Sequence, residues 1–159
     1  MLQDKPTSNR RITNLYPQKP NKAISQAVLA LRGDKHIEQI VFNLRLRFGI
    51  LNRPFTKDDF LQICKDENIH YFDDFQVANL QGFYYWCNKR RLIAVNPKLK
   101  GRQFLFIAFH ELGHHFLHRH NQAEHRFSNQ QTLGFYVIEA QANHFAELTL
   151  REVKKDAKF

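Results

Sequence analysis

Apolar residues recur at helical spacing over Ile37, Ile40, Val41, Leu44 and Phe48, and Gly49 follows as a stop. This predicts a helix over 37–48, with Arg45 and Arg47 off the apolar stripe and in solvent. A second helix is predicted after Thr56. There Thr56-Lys57-Asp58-Asp59 reads as a capping box with Asp in place of the usual Glu. Phe60, Leu61 and Cys64 give that helix an apolar face, which puts Cys64 in the core. Between residues 69 and 96 the pattern changes. Ile69–Phe72, Gly82–Cys87 and Arg91–Val95 are short runs rich in aromatic and β-branched residues, bounded by the turn signals Asp73-Asp74 and Asn88-Lys89-Arg90. The second and third runs form a hairpin, so the expectation is a sheet of about three strands, antiparallel in part. Asn96-Pro97 ends it, because proline has no N–H to give a ladder. Two more helices follow: a buried one over roughly 102–119, carried by the apolar stretch Phe104–Leu117, and a last one from about Phe135 to Leu150. The polar stretch 120–134 reads as the loop between them. Helices around one small sheet make the fold class α+β.

A chain of 159 residues with 43% apolar composition is long enough for one domain with a real core and a short appendage, which excludes wholesale disorder. No apolar run approaches the ~18–20 residues of a membrane-spanning helix. The first residues lack the apolar segment of a secretory signal. Cys64 and Cys87 lie far apart in no CxxC, so the expectation is a cytoplasmic protein without a disulfide framework. The net charge of +9 is unevenly spread. Residues 1–36 hold seven basic and two acidic side chains and three of the five prolines. They read as a basic, partly flexible arm, followed by a domain over 37–150 and a C-terminal tail over 151–159. Such an arm reads first as a solvated tail, and it also suits nonspecific contact with DNA phosphates.

Seven of the nine histidines fall within residues 110–144, and they change the picture most. His110-Glu111-Leu112-Gly113-His114 is an HExxH. Four residues advance a helix by about 400°, so His110 and His114 sit one turn apart on one face. Two imidazoles so placed can bind one zinc ion, while Glu111, about 100° round the helix, can reach a water on the metal as general base. Burying a glutamate and two histidines in FLFIAFHELGHHFL is expensive unless something pairs with them, and a metal is the simplest partner. A hydrolytic site needs a third protein ligand and an open position. His120 has the spacing of an HExxHxxGxxH pattern, but position 117 is Leu and a continuous helix would turn His120 away. Glu139 is the better candidate. It lies on the last helix beside a core-like face (Ala142, Phe145, Ala146, Leu148), where a buried acid wants a metal or a hydrogen-bond donor. Asn143, one turn on, is placed to hold a ligand histidine from behind and fix its tautomer.

These two motifs together, HELGH after an apolar stretch and then Glu139-Ala140-Gln141-Ala142-Asn143-His144-Phe145-Ala146, resemble the ImmA/IrrE family of zinc metallopeptidases. The run RLIAVNPKLKGRQFLFIAFHELGHHFLH is similar to that family too, and the resemblance covers about residues 37–150. It implies a compact α+β zincin-like domain with a gluzincin-like site. On these positions it implies zinc held by His110, His114 and Glu139, with Glu111 as general base and then acid. It also implies cleavage of helix-turn-helix repressors as an antirepressor in a mobile element or a stress response. The sequence departs from the family pattern at Leu148-Thr149-Leu150-Arg151, where the helix end differs, and at Gln141, where the family often has an acid.

The implied chemistry is peptide hydrolysis. His115, His118, His144, Tyr84, Tyr85 and Tyr136 are candidates to stabilise the oxyanion, and His118, one turn past His114, is expected at the cleft mouth. Tyr84, Tyr85 and Trp86 alternate across a strand, so at least one faces the core, and an exposed edge there could pair with an extended substrate. Two other readings fit the same residues: a non-proteolytic regulator binding a repressor or DNA with zinc as a structural element, and a toxin–antitoxin component.

Overall fold

Helix α1 (Lys35–Phe48) begins where Asp34, extended, accepts a hydrogen bond from the His36 N–H. It ends at Gly49, whose φ of 66° is the left-handed cap that glycine adopts without cost. The helix therefore starts two residues ahead of the apolar stripe. The molecule is seen in a computed structural model that describes residues 34–74, 80–118 and 133–152. The basic arm apart from its last three residues, most of the polar stretch 120–134, and the tail beyond 152 lie outside the described residues.

Ile37, Val41 and Leu44 are buried, as the periodicity predicts. Arg47 is exposed and pairs with Asp66 and Glu67. Arg45 is a correction: it is only 8% exposed. Its guanidinium donates to the carbonyls of Ile50, Arg53, Leu148 and Thr149 at 2.7–3.2 Å and lies 5.0 Å from the Phe55 ring centroid. Burial, and then the charge of Arg53, lower its pKa. The four carbonyls replace the lost water. Two of them are terminal carbonyls of the last helix, which has no basic residue of its own in its final turn. A cation supplied from α1 thus caps that helix and meets its negative dipole end. Local periodicity could not show this, because two of the four acceptors, Leu148 and Thr149, lie about a hundred residues away.

Helix α2 (Lys57–Asp66) starts with both halves of the capping box made: Asp59 N–H donates to Thr56 Oγ1, and Thr56 N–H to Asp59. Cys64 is buried, and burial pushes its thiol up to about 12. Strands β1 (Ile69–Phe72), β2 (Gly82–Cys87) and β3 (Arg90–Val95) form one sheet in the order β1-β3-β2. β1 runs parallel to β3 and β2 antiparallel to it, so the sheet is mixed. Asn88 and Lys89 turn the hairpin with φ of 48° and 67°, the left-handed pair that a tight two-residue turn requires. The register aligns Tyr71, Ile93 and Tyr84, and the last two are fully buried. Tyr84 is thus the core-facing member of its run, while Tyr85 and Trp86 are part-exposed.

Helix α3 (Gly101–His118) packs on β2, β3 and α2, and lies along α4 (Leu133–Leu150). Phe60 is the hub of the core, edge-on to Tyr71, Phe104 and Phe109 with ring centroids 5.3–6.3 Å apart. Truncating a phenylalanine so placed costs about 3–5 kcal/mol. The two site helices meet at Gly113. A Cβ there would stand 3.1 Å from Ala142 Cα and 3.2 Å from Phe145 Cβ, so glycine lets the backbones touch. No helix among the described residues is long and apolar enough to cross a membrane. The architecture is the compact α+β domain with a small sheet that the sequence predicts.

Candidate metal centre

His110 and His114 project from successive turns of α3 toward α4, and their Nε2 atoms lie 3.1 Å apart. Glu139 of α4 faces both, with Oε2 3.2 Å from His110 Nε2 and Oε1 3.1 Å from His114 Nε2. The three side chains are 2%, 4% and 12% exposed. Two nitrogen lone pairs cannot face each other at this distance unless a proton or a cation lies between them. A tetrahedral zinc with bonds of about 2.0–2.1 Å spaces its ligand atoms about 3.3 Å apart. The three donors therefore fit such an ion, and among the described residues they are the group that could hold a metal.

The electrostatics agree. Burial works to raise the Glu139 pKa, but hydrogen bonds from His110 and His114, and their charge, hold it far below the usual carboxylate range. Burial likewise works to lower the His110 pKa, yet the bond to Glu139, the charges of Glu111 and Glu139, and the contact with Asn143 raise it. The pocket thus favours one carboxylate with positive charge beside it, which a divalent cation supplies as well as protons do. Asn143 Oδ1 lies 2.8 Å from His110 Nδ1. An amide oxygen only accepts, so Nδ1 carries the proton and Nε2 keeps its lone pair for a metal.

Glu111 is buried on the same helix, beside β2. A Cβ on Gly82 would meet Ile107 Cγ2 at 2.6 Å and Glu111 Cγ at 3.3 Å. Only glycine lets the strand come this close to the helix.

Residues 64–152, more than half of the chain, match the model of the peptidase M78 family, described as the IrrE N-terminal-like domain. The chain belongs to this family. No curated protein and no solved structure matches it. The M78 match spans the end of α2, the sheet, α3 and α4, and so contains His110, Glu111, His114, Glu139 and Asn143. Helix α1 lies outside it.

The other histidines separate clearly. His118, expected at the cleft mouth, is 6% exposed and lies beside His114. Its Nδ1 lies 3.1 Å from His114 Nδ1 and its Nε2 2.8 Å from Gln141 Oε1. Gln141 brings α4 against this turn of α3. His115 faces the other way. It is fully buried, with Nδ1 3.0 Å from the Tyr84 hydroxyl and Nε2 3.1 Å from Glu67 Oε2. That network takes His115 and Tyr84 out of the oxyanion set. His144 is 8% exposed, and neither ring nitrogen has a hydrogen-bond partner among the described residues. Tyr136 is half-buried on α4, three residues before Glu139.

Spacing alone missed three residues that shape the site. Gly82 and Gly113 permit the two close approaches, and Gln141 bonds the histidine behind a ligand. The signal for Gly113 was present: glycine inside a long helix costs about 1 kcal/mol against alanine, so its presence marks a contact.

Proposed function

We propose that this chain is a zinc-dependent metallopeptidase that cleaves a helix-turn-helix repressor in the cytoplasm. The observation that carries the reading is the triangle of His110 Nε2, His114 Nε2 and Glu139, at 3.1–3.2 Å spacing in the contact of two helices, with the Glu111 charge acting on His110. Membership of a peptidase family supports it. His110, His114 and Glu139 would hold the ion through three protein donors. Bound there, zinc supplies Lewis-acid polarisation of a scissile carbonyl and acidifies water.

The remaining work falls to the chain. Asn143 keeps His110 in the tautomer that presents Nε2. Glu111 is close enough in sequence and space to take a proton from the attacking water and return it to the leaving amine. Its buried setting, against β2, keeps bulk water from competing for that proton. The preference for a repressor rests on the family resemblance. The net charge of +5 in residues 1–36 adds a reason, since it would bring the enzyme to a substrate seated on DNA.

The test is incubation of the purified protein with candidate helix-turn-helix repressors, with and without a chelator, read by intact mass. Discrete cleavage is expected, abolished by the chelator and reduced about 10²–10⁴-fold in Glu111→Gln. Full activity in Glu111→Gln would sink the peptidase reading and favour a non-proteolytic regulator with a structural metal.

A further inference from the structure

We infer that Gln141, acting through His118, is the positioning residue that fixes His114 as a metal ligand. The inference rests on the metal reading above and goes beyond it by assigning work to two residues outside the ligand set.

The argument is a count of protons. His114 Nε2 points at Glu139 and at His110 Nε2, so it is the nitrogen that must keep a lone pair. A neutral ring then carries its proton on Nδ1. That N–H donates to His118 Nδ1 at 3.1 Å. His118 must accept there, so its own proton sits on Nε2 and donates to Gln141 Oε1 at 2.8 Å. Every hydrogen bond in the chain runs one way, from the ligand to the amide oxygen. If the Gln141 amide were reversed, its N–H would donate to His118 Nε2. His118 would then donate from Nδ1, and His114 would be left with its proton on Nε2, where no metal binds. The orientation of one amide thus selects the tautomer of a ligand two residues away in the relay.

The geometry has a parallel on the other ligand, where Asn143 does the same for His110 directly. Both supporting amides lie on α4, with Glu139, at positions 139, 141 and 143. One helix therefore brings the third ligand and both orienting groups to a partner helix that brings the two histidines. His118 is buried, so a proton it cannot hand on would be costly, and Gln141 is half-buried at the rim of the contact. Substitution at 141 should consequently disturb the relay more than the fold.

A glutamate at 141 can only accept, so it keeps the acceptor that the Gln141 oxygen supplies and removes the amide N–H that could oppose it. Leucine at 141 keeps the bulk and removes the acceptor. Zinc affinity is measured by competition with a chromophoric chelator for wild type, Gln141→Leu, Gln141→Glu, His118→Leu and the double variant, alongside thermal unfolding of each metal-free protein. Gln141→Leu is expected to weaken zinc binding about 10–100-fold, and Gln141→Glu to bind at least as tightly as wild type. The double variant should lose no more than His118→Leu, because the two residues act in series. Nitrogen-15 spectra of the zinc-loaded wild type should show His118 protonated on Nε2. Wild-type affinity in Gln141→Leu, equal weakening by leucine and glutamate, additive losses in the double variant, or a proton on His118 Nδ1 would each overturn the inference. A wild-type protein that binds no zinc would instead overturn the metal reading on which it stands.

Discussion

Two adjacent residues of α3, His114 and His115, are the same chemical group in the same buried helix, yet they face opposite partners. His114 looks at α4, where its Nε2 meets Glu139 and a second histidine nitrogen. His115 looks at the sheet and α2, where its two nitrogens meet the Tyr84 hydroxyl and Glu67. One step along a helix turns a side chain by about 100°, and here that turn separates a candidate metal ligand from a brace. The first site gathers donors that all want to accept a cation. The second pairs each nitrogen with a partner of its own, so nothing is left to bind. Burial does not distinguish them, since both are almost wholly buried. What distinguishes them is whether the surrounding groups complete each other without a further ion.

The sharpest way to break this comparison is to remove each ring in turn. His114→Ala should lose stoichiometric zinc and leave no peptidase activity above background, while thermal unfolding of the metal-free protein changes little. His115→Leu should do the reverse. It removes the ring that bridges Glu67 and the buried Tyr84 hydroxyl, at a cost of about 1–3 kcal/mol, while zinc stoichiometry stays at that of wild type. Metal analysis and chemical denaturation on the same preparations read both. If His115→Leu also emptied the metal site, the two faces of α3 would not be independent.

How far these roles were legible in the chain follows from the reach of each signal. His110, Glu111 and His114 declare themselves by local spacing, because a helix converts i, i+4 into one face. Glu139 was reachable because an acid among core-like residues asks for a partner, even at a distance. The capping box at Thr56 and the Asn88-Lys89 hairpin are local and read directly. Arg45 was expected in solvent, and its burial comes in part from an element distant in sequence, α4, whose path no pattern within α1 records. The same holds for His115, whose partners come from α2 and β2. Local periodicity shows which residues share a face, but which neighbour covers that face is a property of the fold.

A milder perturbation asks whether the ligand side depends on helix spacing rather than on donors alone. Gly113 stands on the α4 side of α3 with Ala142 backbone 3.1–3.2 Å from where a Cβ would be. Backbone cannot yield as a flexible side chain does, so Gly113→Ala should move the helices apart by a few tenths of an ångström. Overpacking costs about 1–3 kcal/mol, offset by about 1 kcal/mol of helix propensity, which leaves a net loss on the order of 1 kcal/mol. Zinc affinity should fall roughly tenfold, since Glu139 lies one turn from Ala142 and must still reach both histidines. Equal affinity in Gly113→Ala would show that the donors adjust without the close approach.

The smallest effect belongs to the brace side and is read by pH. Burial works to raise the Glu67 pKa, but hydrogen bonds from Arg47 and His115, and their charges, bring it below the ordinary value. A carboxylate depressed in the folded state adds stability that is fully present above its unfolded pKa of about 4.3 and is lost as pH falls through the folded value. Wild type should therefore lose stability as pH drops below about 4.3, and Glu67→Gln should show a shallower acid limb while being less stable at neutral pH. Denaturation midpoints measured between pH 3 and 7 compare the two. Parallel curves would mean that Glu67 is equally satisfied by solvent, and that His115 is held by packing and the Tyr84 hydroxyl without help from a charge. In that case only the metal side would draw on charge, and electrostatics itself would be what separates His114 from His115.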